Sequence, residues 1–304
     1  MKLLIIRPAA LGDTLMLGPS LYALRGLAES FLAGRRPGID FMRPLVSQCL
    51  DFEGAGWHAL FMDASEPRAK LPIAAVDRVV AFLNDPQGAV GRNLKHSFPR
   101  ATIAVLPGYP GEGEALHVAL YLARAMEKCG LPLKAEKAVE KAFKHPLFPP
   151  GNRHRIRTVF HPGSGGARKN HPPEFWMNLV RSFQEMIPRV KEAPMMLLGP
   201  AEETLLPFFS GAKEVDLVFS PDRGRLCLLL QESLLYVGQD SGVTHLAAMM
   251  GTPTLALFRN TPVDQWRPLG PRARVIARHA ASPELIDEAL TQAQDLLSEG
   301  AGFP

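Results

Sequence analysis

Apolar and polar positions along this 304-residue chain fall into blocks whose period changes in a regular way. Lys2–Ile6 is a short β-rich run, and the block that follows, Thr14–Leu27, sets Leu17, Leu21, Leu24 and Leu27 at helical spacing. The same succession returns in the second half. Arg157–Phe160 predicts a strand, and Pro173 to about Met186 predicts a helix with Phe175, Leu179, Val180 and Phe183 on one face. Pro194–Leu198 predicts a strand ended by Gly199-Pro200, and Val215–Phe219 and Leu226–Gln231 are further apolar runs. Leu234–Gly238 predicts a strand, His245–Met250 a helix closed by Gly251, and Thr254–Phe258 a strand opened by Pro253. Ser282–Leu297 predicts a last helix with Pro283 at its start. In the first half, Gly38–Phe41, Ala59–Met62, Val76–Phe82 and Ala101–Leu106 predict strands. Leu116–Cys129 has a strong amphipathic helical pattern that stops at Gly130-Leu131-Pro132.

Phe143–Arg153, rich in Pro and Gly at mid-chain, is the linker candidate. It predicts an α/β chain of two doubly wound domains, 1–150 and 151–304, with ligand loops at strand ends facing a cleft. No internal repeat and no low-complexity segment interrupts the pattern.

Composition narrows the class. At 46% hydrophobic and 21% charged residues the chain resembles a soluble globular protein. No apolar run is long enough to span a membrane. Arg7 and Asp13 break the first apolar run, so the start reads as a strand and loop and not as a signal peptide. Cys49, Cys129 and Cys227 are widely spaced and odd in number, which fits a reducing cytoplasm and argues against a disulfide framework or a zinc site. Residues 1–150 carry 18 Lys and Arg against 14 Asp and Glu, whereas residues 151–304 carry 16 of each, so the whole +4 excess lies in the first half. Such a field would draw an anionic partner, a phosphorylated lipid or a membrane surface, although scattered surface lysines give the same sum. No stretch interleaves dense basic residues with aromatics, which argues against nucleic acid.

Three loops carry candidate chemistry. The loop ahead of the predicted helix from Thr14 holds Gly12 and Asp13. It is neither a dinucleotide fingerprint nor a Walker loop. Asp13 could act as a helix-start acid favoured by the dipole, or as a base. The second loop, His161-Pro162-Gly163-Ser164-Gly165-Gly166-Ala167-Arg168-Lys169, joins a predicted strand to a helix. Its glycines let backbone N–H groups approach an anion, and Arg168 and Lys169 add charge. The third holds Asp240 and Ser241. Asp240 could cap the next helix or accept hydrogen bonds from a ligand's hydroxyls. No His, Asp and Glu set has ligand spacing and no Asp-x-Asp occurs, so neither a metal nor a cofactor is expected.

These loops also carry a resemblance. Asp240-Ser241-Gly242, His245-Leu246-Ala247-Ala248, Gly251-Thr252-Pro253 and Leu257-Phe258 together resemble the C-terminal signature of glycosyltransferase family 9, the heptosyltransferases of lipopolysaccharide core assembly. Leu11-Gly12-Asp13 with Leu17, Pro19 and Leu21 resembles the family's N-terminal signature. Pro162-Gly163-Ser164-Gly165-Gly166 with Lys169, Pro172 and Glu174 resembles its middle one. His171 departs from the family's usual Trp. The middle of the first half has no clear match to the family's acceptor-side segments.

The resemblance implies a GT-B fold, with the nucleotide sugar mostly on the second domain and the acceptor on the first. It implies inverting displacement without a metal. Asp13 is then the general base, Lys169 serves the diphosphate, and Ser164, Gly165, Gly166, Ser241 and Gly242 approach the phosphates. Asp240 is then the ligand of sugar hydroxyls, and His245 lies behind it as a structural residue. Thr261 keeps the family's position near the diphosphate, and Arg259 replaces a glycine there, either pairing with phosphate or lying at the surface. Beyond Gly199-Pro200 lie Glu202 and Glu203, where the family has an acid that either contacts the nucleoside or serves as a helix-start carboxylate. The implied partners are ADP-heptose and an anionic glycolipid of the lipid A/Kdo type. The implied location is the cytoplasm, with peripheral contact at the inner membrane. Three other readings stay open: another nucleotide sugar used for surface polysaccharide, an inactive nucleotide-binding scaffold, and a sugar-nucleotide epimerase of the same fold.

Overall fold

A computed structural model describes residues 1–62, 70–148, 157–187 and 192–299. The chain divides into two compact units, Met1–Lys141 and Ala142–Pro304. The expected boundary at 150/151 lies outside the described residues. Of the linker candidate Phe143–Arg153, the described part belongs to the second unit, where Leu147 N donates to Met249 O at 2.9 Å.

The first unit is built on β1 (Lys2–Arg7), β2 (Glu29–Gly34), β3 (Gln48–Asp51), β4 (Arg78–Phe82) and β5 (Thr102–Leu106), in the order β3-β2-β1-β4-β5. All neighbours run parallel. Leu3, Leu4, Ile5 and Ile6 are fully buried, as a central strand covered on both faces requires. The chain reverses its direction of winding between β1 and β4, and in such sheets ligands bind beyond the strand ends at that switch point.

The second unit repeats the plan with β6 (Arg157–His161), β7 (Met195–Leu198), β8 (Asp216–Phe219), β9 (Ser233–Gln239), β10 (Thr254–Phe258) and β11 (Ala273–Ala277). Their order is β11-β10-β9-β6-β7-β8, again all parallel, with the switch point between β6 and β9. The helix Pro173–Met186 buries Phe175, Trp176, Leu179, Val180 and Phe183 against the sheet. The helix Pro283–Ser298 joins the same core through Leu285, Ala289, Leu290, Ala293 and Leu296. The helix Gly242–Met249 ends where Gly251 takes φ 75°, a conformation costly for any residue with a Cβ.

Three sequence expectations in the first unit are corrected. Gly38–Phe41, expected as a strand, is the helix Gly38–Met42. Its buried residues Gly38, Ile39, Phe41 and Met42 follow helical spacing, and Asp40 pairs with Arg36 and Arg43 at i−4 and i+3. Four residues are too few for their period to separate helix from strand. Ala59–Met62 overlaps a 3₁₀ turn, Trp57–Leu60, that buries Trp57 and Leu60. The single helix expected over Thr14–Leu27 is two, Leu11–Leu15 and Gly18–Leu24. Pro19 has no N–H to give Leu15, so the first helix cannot run through it. In the second unit, Leu226–Gln231 belongs to the helix Arg223–Gln231.

Candidate functional site

Each unit gathers polar side chains at the carboxyl edge of its own sheet, beside the switch point. In the second unit the loop after β6 meets the loop after β9. Lys169, at the end of the 3₁₀ turn Ala167–Lys169, donates from Nζ to Asp240 Oδ2 at 2.7 Å. Thr261, in the loop after β10, donates to the same oxygen at 2.6 Å. On the other side, His245 Nε2 lies 3.7 Å from Asp240 Oδ1, and both residues are buried. Burial alone would raise the Asp240 carboxyl; His245, Lys169 and Thr261 outweigh it and hold the group well below the usual carboxylate range. Asp240 is therefore held as an anion whose Oδ2 accepts from both Lys169 and Thr261, with the half-exposed Lys169 ammonium beside it.

The start of the helix Gly242–Met249 is held from within. Ser241 is its N-cap, accepting from Thr244 N at 3.2 Å. The Ser241 hydroxyl also lies 3.2 Å from His161 Nδ1 at the end of β6. His161 Nε2 in turn faces Glu202 Oε2 at 3.7 Å, and Glu202 Oε2 accepts from Gly199 N at 2.7 Å. Glu202 therefore acts as the helix-start carboxylate, one of its two sequence readings. Burial would raise its pKa, but His161 and the Gly199 amide outweigh that and lower it. Gly163 gives Glu202 its space: a Cβ there would lie 1.9 Å from Glu202 Cγ.

The loop from Ser164 to Asn170 is pinned at several points. Ser164 Oγ donates to Asn170 Oδ1 at 2.7 Å and lies 3.2 Å from Gly166 O, while Lys169 N donates to Gly166 O at 2.9 Å. Arg259 points its Nη1 at Asn170 O (2.7 Å) and its Nε at His279 O (3.0 Å). It is bound to backbone carbonyls, a role that neither sequence reading anticipated. Gly165 is exposed and a Cβ there would meet nothing within 4 Å, so nothing in the protein itself requires a glycine at that position.

In the first unit, Gly12 and Asp13 lie inside the helix Leu11–Leu15, directly after β1. Asp13 Oδ1 accepts from Tyr109 OH at 2.8 Å. Arg7, the last residue of β1, is 1% exposed; its Nε donates to Asp13 O at 3.0 Å and its Nη1 to Gly108 O at 2.8 Å. The guanidinium lies 5.1 Å from the Tyr109 ring centroid. Burial lowers the Arg7 pKa, partly offset by Tyr109 and Asp13. Burial and then Asp13 push the Tyr109 phenol up to about 12, so it stays a donor toward the carboxylate. Arg7 and Tyr109 escape a sequence reading. An arginine closing the run LLIIR is a weak signal, and Tyr109 has none.

All the second-unit candidates (Ser164, Gly165, Gly166, Lys169, Asp240, Ser241, Gly242, His245 and Thr261) thus lie on the loops and helix starts around one switch point. Gly12 and Asp13 occupy the corresponding edge of the first sheet. Among the described residues no group of three or more His, Cys, Asp or Glu is arranged to hold a metal, and no helix is long and apolar enough to cross a membrane.

Two parallel doubly wound units with polar sites at their carboxyl edges are the architecture of the GT-B fold. The chain belongs to glycosyltransferase family 9 (heptosyltransferase), whose family model matches residues 109–292. Solved structures agree in fold. E. coli heptosyltransferase WaaC with ADP superposes with a TM-score of 0.67 at 13% identity, covering 97% of this chain and 100% of that one. A family 9 glycosyltransferase from Veillonella parvula gives a TM-score of 0.69 at 15% identity, covering 98% of each chain. E. coli ADP-heptose lipopolysaccharide heptosyltransferase II gives 0.65 at 19% identity, covering 99% and 100%. No curated protein sequence matches the chain.

Proposed function

We propose that this glycosyltransferase moves a heptose from ADP-heptose to an anionic glycolipid of the lipopolysaccharide core, by inverting displacement and without a metal ion. The observation that carries the reading is the Lys169–Asp240–Thr261 assembly at the second unit's switch point. It offers a cation for a diphosphate and, for sugar hydroxyls, a carboxylate that its neighbours hold below the usual range. Two of the structural relatives are described with ADP or as ADP-heptose enzymes, which supports the adenine nucleotide.

In this mechanism the acceptor hydroxyl attacks the anomeric carbon as its proton passes to Asp13. The bond from that carbon to the diphosphate oxygen breaks, and ADP leaves with the electron pair. Tyr109 occupies Asp13 Oδ1, leaving Oδ2 for the incoming proton. Charge developing on the leaving diphosphate meets Lys169, the backbone of Ser164–Gly166 and the start of the helix Gly242–Met249, groups positioned before the reaction begins.

The experiment is a transfer assay on two variants. Asp13→Asn is expected to reduce turnover by about 10²-fold or more with nucleotide affinity nearly unchanged. Lys169→Ala is expected to weaken ADP binding about tenfold or more. Wild-type turnover in Asp13→Asn removes the base assignment, and unchanged ADP affinity in Lys169→Ala removes the phosphate role.

A further inference from the structure

The loop that carries Lys169 is held in an unusual way. Three consecutive carbonyls, those of Arg168, Lys169 and Asn170, each accept from a different side chain on the neighbouring strand ends. Asn260 Nδ2 donates to Arg168 O. The fully buried Gln239 amide, in the orientation its neighbours require, donates to Lys169 O at 3.1 Å and accepts from His171 N. Arg259 Nη1 donates to Asn170 O at 2.7 Å. Two of these donors are themselves braced, Arg259 Nε on His279 O at 3.0 Å and Asn260 Oδ1 on His279 Nδ1 at 2.8 Å. Gly166 O, one turn earlier, is already used by Ser164 Oγ and Lys169 N.

We propose that Gln239, Arg259 and Asn260 form a carbonyl clamp that presets the Lys169 loop for a nucleoside diphosphate, an inference that rests on the donor reading above. The physical case is one of sign. An anion-binding loop works only if its carbonyl oxygens, which repel phosphate, are turned elsewhere and kept there. Carbonyls bound to fixed donors cannot swing toward the ligand, so the loop offers donor groups and an ammonium with no reorganisation at binding. Arg259 acts through the loop and is a positioning residue. Both of its described donor contacts go to backbone oxygen.

The test is calorimetric titration of the full-length protein and its variants with ADP and with AMP. Arg259→Lys keeps the charge and loses the fork that reaches two carbonyls at once. It is expected to lower ADP affinity about tenfold and AMP affinity by less than about twofold, with the melting temperature nearly unchanged. Asn260→Ala, a neutral exposed change, is expected to lower ADP affinity about threefold, and the two effects are expected to be non-additive. Amide exchange over residues 164–170 is expected to speed up in both variants. Arg259→Lys that binds ADP like the wild type, while Arg259→Ala does not, assigns direct phosphate pairing and overturns the clamp. Equal losses for ADP and AMP point to general loosening and overturn it too. Should Arg259→Lys fail to fold, Asn260→Ala decides alone. Wild-type protein that binds neither nucleotide overturns the donor reading and the clamp with it. Wild-type binding of ADP with unchanged variants overturns the clamp only.

Discussion

His171 shows what a single residue costs beside the site. It is 3% exposed, neither ring nitrogen has a hydrogen-bond partner, and its ring lies 4.9 Å from that of Phe175. Burial, with the Arg259 charge second, pushes its pKa down to about 4. Between that value and the ordinary histidine range near 6.5 the unfolded chain binds the proton and the folded chain does not. Stability is therefore complete above the unfolded value and falls as pH drops through this window, by about 3 kcal/mol at most. His171→Phe is expected to raise stability at pH 7 by about 1 kcal/mol, because two unsatisfied buried nitrogens disappear, and to flatten the loss below pH 6.5. Chemical denaturation at several pH values checks this; a variant as acid-sensitive as the wild type would acquit His171. Asp13, Lys169 and Asp240 are legible in the sequence because short motifs surround them at the ends of apolar runs. The Tyr109–Asp13 contact spans 96 positions, and no local pattern encodes it.

Elements were legible where a period ran long enough to declare itself. The helix Pro173–Met186 and the strand at Lys2–Arg7 follow directly from spacing. β2, with the sequence ESFLAG, mixes small and polar residues and gives no strand signal, yet it pairs along its whole length with β1. Its place in the sheet decides its conformation, an instance of tertiary context overriding propensity. The loop after β6 illustrates the converse, a sequence feature with a steric reason. Gly163→Ala would bring a Cβ to 1.9 Å from Glu202 Cγ. The expected result is a loss of about 1–3 kcal/mol as Glu202 is driven from Gly199 N and His161. Thermal denaturation of Gly163→Ala beside Gly163→Ala/Glu202→Ala reads this. If the pair is no less stable than Glu202→Ala alone, the clash is the cause; equal penalties with and without Glu202 would place the strain elsewhere.

At the scale of the molecule, the repeated strand–loop–helix pattern points to parallel strands joined by crossover helices, the plan that both units follow. The strand order within each sheet is not readable from the pattern, because register and neighbour choice arise from packing between residues far apart in sequence. The net charge of +4 in residues 1–150 and zero in residues 151–304 places the cationic excess in the half that the family resemblance gives to the acceptor. The donor assignment rests on the other half and is the account's central claim. It is tested most directly by calorimetric titration of the purified protein with ADP, UDP, GDP and CMP. The account predicts selective binding of ADP that weakens about tenfold or more in Lys169→Ala. Selective binding of UDP or GDP, or of no nucleotide at all, would contradict it.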